Sequence, residues 1–231
     1  LSSAASDVYK RQPLADAGYL PANPCSGQGG GGDAGPFVTP GTYHVSLVVN
    51  GSVVDSKPML IVKDPAVDLA GVDRMAYDET LLTLHELQRR GTEMAGHLDA
   101  VYAQVVEIDT IGAMDDVPDD VRAEFTAFQE AFDELRVKFG VPMSGGGGGR
   151  GFGGRGGGDP ANVLARTSTL KRNIMSFWEV PSDALVNQFY EVTPLLEMAI
   201  DEAEETLERA RALAATLEGH DIPLTVPISG G

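Results

Sequence analysis

Between Tyr77 and Ile108 the apolar side chains recur at helical spacing with almost no slip. Tyr77, Leu81, Leu84, Leu87, Gly91, Met94, Leu98, Val101, Val105 and Ile108 are separated by steps of three and four, the period that lays one stripe along one face of an α-helix. Such a helix cannot stand alone in water, because its stripe has to be covered. Three further segments repeat the pattern. The second carries Val121, Phe125, Phe128, Phe132, Leu135 and Phe139, so half of the chain's eight Phe residues share one face. The third carries Val163, Thr167, Leu170, Ile174 and Phe177. The fourth carries Leu185, Phe189, Val192, Leu196, Ala199, Ala203, Leu207, Ala210, Leu213 and Leu217. Four matching stripes predict a mostly antiparallel four-helix bundle whose aromatic face is core, not a ligand groove.

Punctuation residues set the boundaries. Helices 1 and 2 occupy residues 66–143: the first starts between Ala66 and Asp73 and runs to about Ile111, and Met114 to Val117 turns the chain. Pro118 with Asp119 and Asp120 opens the second, since Pro fits a first turn and acids suit the positive end of the helix dipole. Gly91 and Gly96 each cost the first helix about 1 kcal/mol relative to Ala, a cost offset where a neighbouring helix comes close. Residues 144–158 read as a Gly-rich flexible linker, and helices 3 and 4 fill residues 159–219. Asp159 caps and Pro160 opens the third; the fourth runs from Ser182 or Asp183 to about Glu218, and Gly219 ends it. Pro194 should kink that helix, or Thr193 should cap a fresh start. Residues 220–231 form an extended tail, with Ile222, Leu224 and Val226 expected to pack across the bundle or the β strands.

The residues before the first helix follow a different period. Tyr43, Val45, Leu47 and Val49 alternate with His44, Ser46, Val48 and Asn50, which describes a half-buried strand. Asn50-Gly51 suits a two-residue type I′ turn, in which both central residues need positive φ. A second strand follows from Ser52 to about Lys63, with Pro58 marking an edge or a bulge. Tyr43, opening a strand after Pro40-Gly41-Thr42, resembles the corner tyrosine of immunoglobulin-like sandwiches. Residues 35–65 therefore read as the remnant of an immunoglobulin-like β domain, too few strands to stand alone. Upstream, residues 13–34 are rich in Gly, Ala, Pro and Ser and read as a disordered loop. Residues 1–12, LSSAASDVYKRQ, resemble translated sequencing-adapter read-through and match no targeting signal, which predicts that the chain is a fragment.

The run from Pro40 to Pro65, PGTYHVSLVVNGSVVDSKPMLIVKDP, leads into a long amphipathic helix and, much later, to Leu224-Thr225-Val226-Pro227. This arrangement resembles the C-terminal region of large bacterial secreted β-propeller proteins of the sortilin-like class, which carry neuraminidase-type repeats and are often labelled glycosyl hydrolases. The likeness extends over Gly35 to Pro227, by residues in the strands and by pattern in the helices. It implies an α+β architecture, a truncated immunoglobulin-like β hairpin followed by the bundle. It also implies a periplasmic or extracellular parent whose missing N-terminal β-propeller domains are the natural partner. No Asp-box of the Ser-x-Asp-x-Gly-x-Thr-Trp kind occurs, so the propellers, where sugar chemistry would reside, lie outside the chain.

Charge and motif searches exclude other classes. Of the net charge of −17, residues 66–143 carry −11 and residues 159–231 carry −7, so the helices hold the acidity and a solvated acidic face disfavours nucleic acid and anionic membrane. No apolar run of eighteen residues occurs, so no membrane span is expected. Cys25 is the single cysteine and has no internal disulfide partner. Arg150 and Arg155 in GRGFGGRG resemble an RGG box, but two cations inside so acidic a chain neutralise too few phosphates to hold RNA. His44, His85, His97 and His220 sit apart, and His85 and His97 are too far apart on one helix to share a metal ion. Neither HExxH nor GxSxG occurs. The acidic groups Asp115, Asp116, Asp119 and Asp120, and Glu202, Glu204, Glu205 and Glu208, read as helix-start and solvated-face charge.

The expectation is thus a chain with no catalytic, cofactor or metal residues: a structural or interaction module, or alternatively the accessory part of a glycoside hydrolase whose active site lies in the propellers. Eleven of the fourteen residues from Gly145 to Gly158 are Gly, which leaves little side chain to hold that segment. Limited trypsin digestion should cut first at Arg150 or Arg155; a first cut elsewhere, followed on peptide masses, refutes the linker.

Overall fold

A computed structural model describes residues 35–36, 40–62, 74–141, 159–176 and 181–228. Two strands, β1 (Gly41–Val49) and β2 (Ser52–Ile61), precede four helices: α1 (Arg74–Thr110), α2 (Asp119–Phe139), α3 (Val163–Met175) and α4 (Asp183–Glu218). The expectations for residues 1–34, for Cys25, for a helix start between Ala66 and Asp73, for the linker with Arg150 and Arg155, and for Phe177 lie outside the described residues.

The strands form an antiparallel hairpin in register from Gly41 opposite Ile61 to Val49 opposite Ser52. Asn50 (φ 50°) and Gly51 (φ 80°) both take the left-handed conformation that this two-residue turn demands. Pro58 lies opposite His44 in regular register, while the irregularity falls where Leu47 faces Asp55 and Val48 faces Val53, so Val54 is the extra residue. A two-stranded ribbon directs alternate N–H groups outward, and a Pro fits at such a position without breaking the ladder. Paired residues share a face, so Val45 and Leu47 point to one side and Val48, Val53 and Leu60 to the other. All five are more than half exposed. Among the described residues neither strand packs against a helix.

The helices make one core. All ten residues of the α1 stripe are buried, as are the six expected on α2 and, among the described residues, the four on α3. Every helix touches the other three. On α2 the rings interlock: Phe132 stacks on Tyr102 of α1 at 5.9 Å, and Phe128 tilts against Phe132 at 5.4 Å. The turn after α1 is held from inside α2. Arg122 donates to the carbonyls of Met114, Asp115 and Val117, acceptors within the turn that no helical ladder satisfies. Arg136 lies 5.0 Å above the Tyr102 ring and donates to the Val141 carbonyl, while Gly140 (φ 70°) ends α2 in the left-handed conformation.

Several local expectations shift. The cap of α3 is Asn162, whose Oδ1 accepts from the Ala165 N–H; Asp159 accepts instead from Ala161 and organises the turn before it. Pro160 therefore belongs to that turn and not to the helix. The fourth helix starts at Asp183, one of the two positions expected, with Ser182 as its cap, and α4 passes through Pro194 without interruption. At its end Gly219 stays right-handed, and the left-handed residue is Asp221 (φ 61°), after which the Ile222 N–H returns to the Leu217 carbonyl. The tail then crosses the helices, not the hairpin. Ile222 and Leu224 are buried, Gln104 of α1 both donates to and accepts from the Thr225 backbone, and Arg211 donates to the Pro227 carbonyl.

The two helix glycines separate. A Cβ on Gly91 would meet Leu164 Cδ1 at 2.8 Å and the Leu196 methyls at 3.4 Å, whereas Gly96 faces open space. Gly96→Ala should therefore stabilise the fold by about 1 kcal/mol through helix propensity. In Gly91→Ala that gain is cancelled by overpacking, which costs about 1–3 kcal/mol. Urea unfolding of the two variants checks this, and equal stabilisation by both would show that α1 is not closely approached at Gly91.

Candidate functional site

Chemistry needs groups that are held, desolvated or paired unusually. The seam between α1 and α3 holds such groups. Tyr77 donates its hydroxyl to the Ile174 carbonyl at 3.0 Å, His85 Nδ1 lies 3.4 Å from Lys171 Nζ, and Gly91 faces Leu164, so the two helices run antiparallel. Lys171 and Gln88 have no solvent-exposed surface. For the Lys171 ammonium to donate, His85 Nδ1 must carry no proton, which puts the ring proton on Nε2. Gln88 sits one turn beyond Leu84, on the same seam, and among the described residues neither its Nε2 nor its Oε1 has a hydrogen-bond partner. A buried polar group left unsatisfied costs about 1–3 kcal/mol. The seam is closed by Leu84, Leu164 and Leu170, all buried. Lys171 and Gln88 therefore lie inside the contact between α1 and α3, out of reach of solvent.

A second place is a surface crevice of about 360 Å³ between α1 and α2, floored by Tyr102, Val105 and Phe132 and edged by Asp109, Glu130 and Asp133. Asp133 already pairs with Arg136. The remaining carboxylates, Asp109 and Glu130, are exposed, and the hydroxyls lining the crevice are those of Thr126 and Tyr102. Neither carboxylate is desolvated, the usual way in which a protein tunes a carboxyl toward acid–base work.

The other residues singled out by the sequence are dispersed. Asp115, Asp116, Asp119 and Asp120 are exposed at the turn into α2, where Arg122 approaches Asp119 at 3.5 Å. Glu202 pairs with Lys138 across α4 and α2, Glu208 pairs with Arg211, and Glu204 and Glu205 face solvent. His85 and His97 lie about 18 Å apart along α1, given a rise of about 1.5 Å per residue; His44 is on β1 and His220 follows α4. Among the described residues, no three of His, Cys, Asp and Glu gather as a metal site. The carboxyl of Glu86 is perturbed: the hydrogen bond from Arg89 holds it below the usual carboxylate range, and burial opposes this.

Gln88 and Lys171 escaped the sequence reading because a polar residue on an amphipathic helix is assigned by default to the solvated face. The signal was present in the spacing. Gln88 falls four after Leu84 and three before Gly91, and Lys171 four after Thr167 and three before Ile174, so both lie within buried stripes. Comparison with known proteins finds no matching family, no matching curated protein and no matching solved structure.

Replacing the unsatisfied amide by an apolar group of similar length removes the burial penalty. Gln88→Met should raise stability by about 1–3 kcal/mol in urea unfolding. A loss of stability would mean that the Gln88 amide is satisfied within the seam.

Proposed function

We propose that this chain is a non-catalytic structural and interaction module, an immunoglobulin-like hairpin joined to a mostly antiparallel four-helix bundle, that closes a larger secreted β-propeller protein. One observation carries this reading: the apolar side chains of the hairpin are uncovered on both faces. Val45, Leu47, Val48, Val53, Val54, Leu60 and Val62 are each more than half exposed, while the helical part has buried most of its own stripe residues, Leu185 and Phe189 of α4 being half-buried, and has received its own tail. Fully burying one Val or Leu side chain contributes about 1.5–3 kcal/mol, and an isolated two-stranded hairpin is marginal in water. Strands with open edges and apolar faces recruit other strands. The natural cover is the rest of the same β domain, upstream and contiguous with the propellers that the sequence resemblance implies. In that parent, secreted to the periplasm or beyond, carbohydrate chemistry belongs to the propellers and the helices act as a rigid end-piece.

Two measurements on the full chain test the reading together. Light scattering should show concentration-dependent self-association that falls when Val45, Leu47 and Val53 are changed to Thr, because Thr keeps strand propensity and removes the apolar face. Assays on aryl glycosides should show no turnover. A monodisperse chain whose hairpin amides resist hydrogen exchange would refute the uncovered β layer, and hydrolysis lost on Glu202→Gln or Glu130→Gln would overturn the non-catalytic assignment.

A further inference from the structure

Helix α4 buries one face and leaves a second apolar line facing out. Val186, Tyr190, Pro194 and Met198 follow one another at steps of four, so they form a ridge of neighbouring side chains about 18 Å long on the side away from Val192, Leu196 and Ala199. Tyr190 is 70% exposed, Met198 66% and Val186 38%; Pro194 is exposed too. Exposed apolar residues scattered singly need no explanation, but four aligned on one helix are a contiguous patch.

The charge around the ridge is of one sign. From Asp183 to Glu208, α4 has eight acidic residues and no Lys or Arg. Glu191 is paired with Arg166 of α3, whereas Glu197, three after Pro194 and so flanking the ridge, and Asp201, three after Met198, make no ion pair among the described residues. A second copy of this helix would bring like charges together, and anionic lipid or nucleic acid would be repelled. What complements an apolar ridge bordered by unpaired carboxylates is an apolar stripe bordered by Lys or Arg, the pattern of an amphipathic helix laid along a surface.

We propose that the outward ridge Val186–Tyr190–Pro194–Met198 of α4 is a docking face for a basic amphipathic helix of another protein. The proposal goes beyond the hairpin reading and is independent of it, since the ridge lies on the helical part and no strand packs there. Tyr190 is the anchor, an aromatic ring with a polar tip of the kind that dominates binding energies, and Glu197 and Asp201 set the sign of the partner.

The test uses the full chain and a fluorescein-labelled helical peptide of roughly five turns, with Leu at three-four spacing and Lys elsewhere. The controls are a peptide of the same composition in scrambled order and one with Glu in place of Lys. Fluorescence anisotropy should show binding of the first peptide alone, weakened as salt is raised. Tyr190→Ser with Met198→Ser, and separately Glu197→Lys with Asp201→Lys, should each weaken it about tenfold or more, with helical circular dichroism unchanged; should the Ser pair lose helicity, the Lys pair decides. Equal binding of the scrambled peptide, no binding at all, or binding within about twofold of the parent chain in the deciding variant would overturn the proposal. Sedimentation adds one further reading: if the Ser pair abolishes self-association of the chain and leaves peptide binding intact, the occupant is a second copy and the proposal fails.

Discussion

The structure depends on covering the stripe of α1. At 37 residues the helix is about 55 Å long, and neither α2, with 21 residues, nor α3, with 13, is long enough to reach along all of it. The covering is shared instead: α3 lies against the first half, where Tyr77, His85 and Gly91 meet Ile174, Lys171 and Leu164, and α2 lies against the second, where Tyr102 stacks on Phe132. Helix α4, nearly as long, touches all three others. The tail completes the cover, held by the two backbone hydrogen bonds of Gln104. Each contact exists because the same three-four spacing puts every stripe inward, so the helices become stable together and not singly.

Polar groups divide into those that organise this core and those that keep it soluble. Arg122 and Arg136 each satisfy backbone carbonyls at a helix end, which uses a cation as a cap and a brace at once. Lys171 and Gln88 are inside, where their cost constrains how α1 meets α3. Outside, pairs such as Arg89 with Glu86 and Glu93 are solvated. The folded-state pKa of Glu86 is depressed, so its contribution is present above the ordinary carboxylate range and is lost as pH falls through the folded value. At so exposed a site that contribution is small.

Against this closed body stand two uncovered apolar features, the hairpin and the α4 ridge. They differ in kind. The hairpin offers backbone edges and a flat apolar face, which other strands satisfy; the ridge offers side chains alone, on a helix whose backbone is already satisfied. Two such surfaces differ in what would satisfy them: strands for the first, an apolar side-chain stripe for the second.

How much of this was legible beforehand follows from which interactions are local. Periodicity alone located four helices and the residues that became core, and Asn50-Gly51 located the hairpin turn, because spacing and φ preference act within a few residues. The caps were less legible at one end than at the other: Gly219 ends α4 where its position placed it, whereas Asn162 displaced Asp159 by three positions, since several nearby residues could serve and the packing of the following segment chose among them. For the sites, the dispersion of His44, His85, His97 and His220 could be read from spacing. Their surroundings could not. Burial of Lys171 and Gln88, the close approach at Gly91 but not at Gly96, and the passage of the tail over Gln104 instead of the hairpin were decided by tertiary structure, because each depends on which distant segment arrives, and that is a property of shape and not of any local stretch of chain.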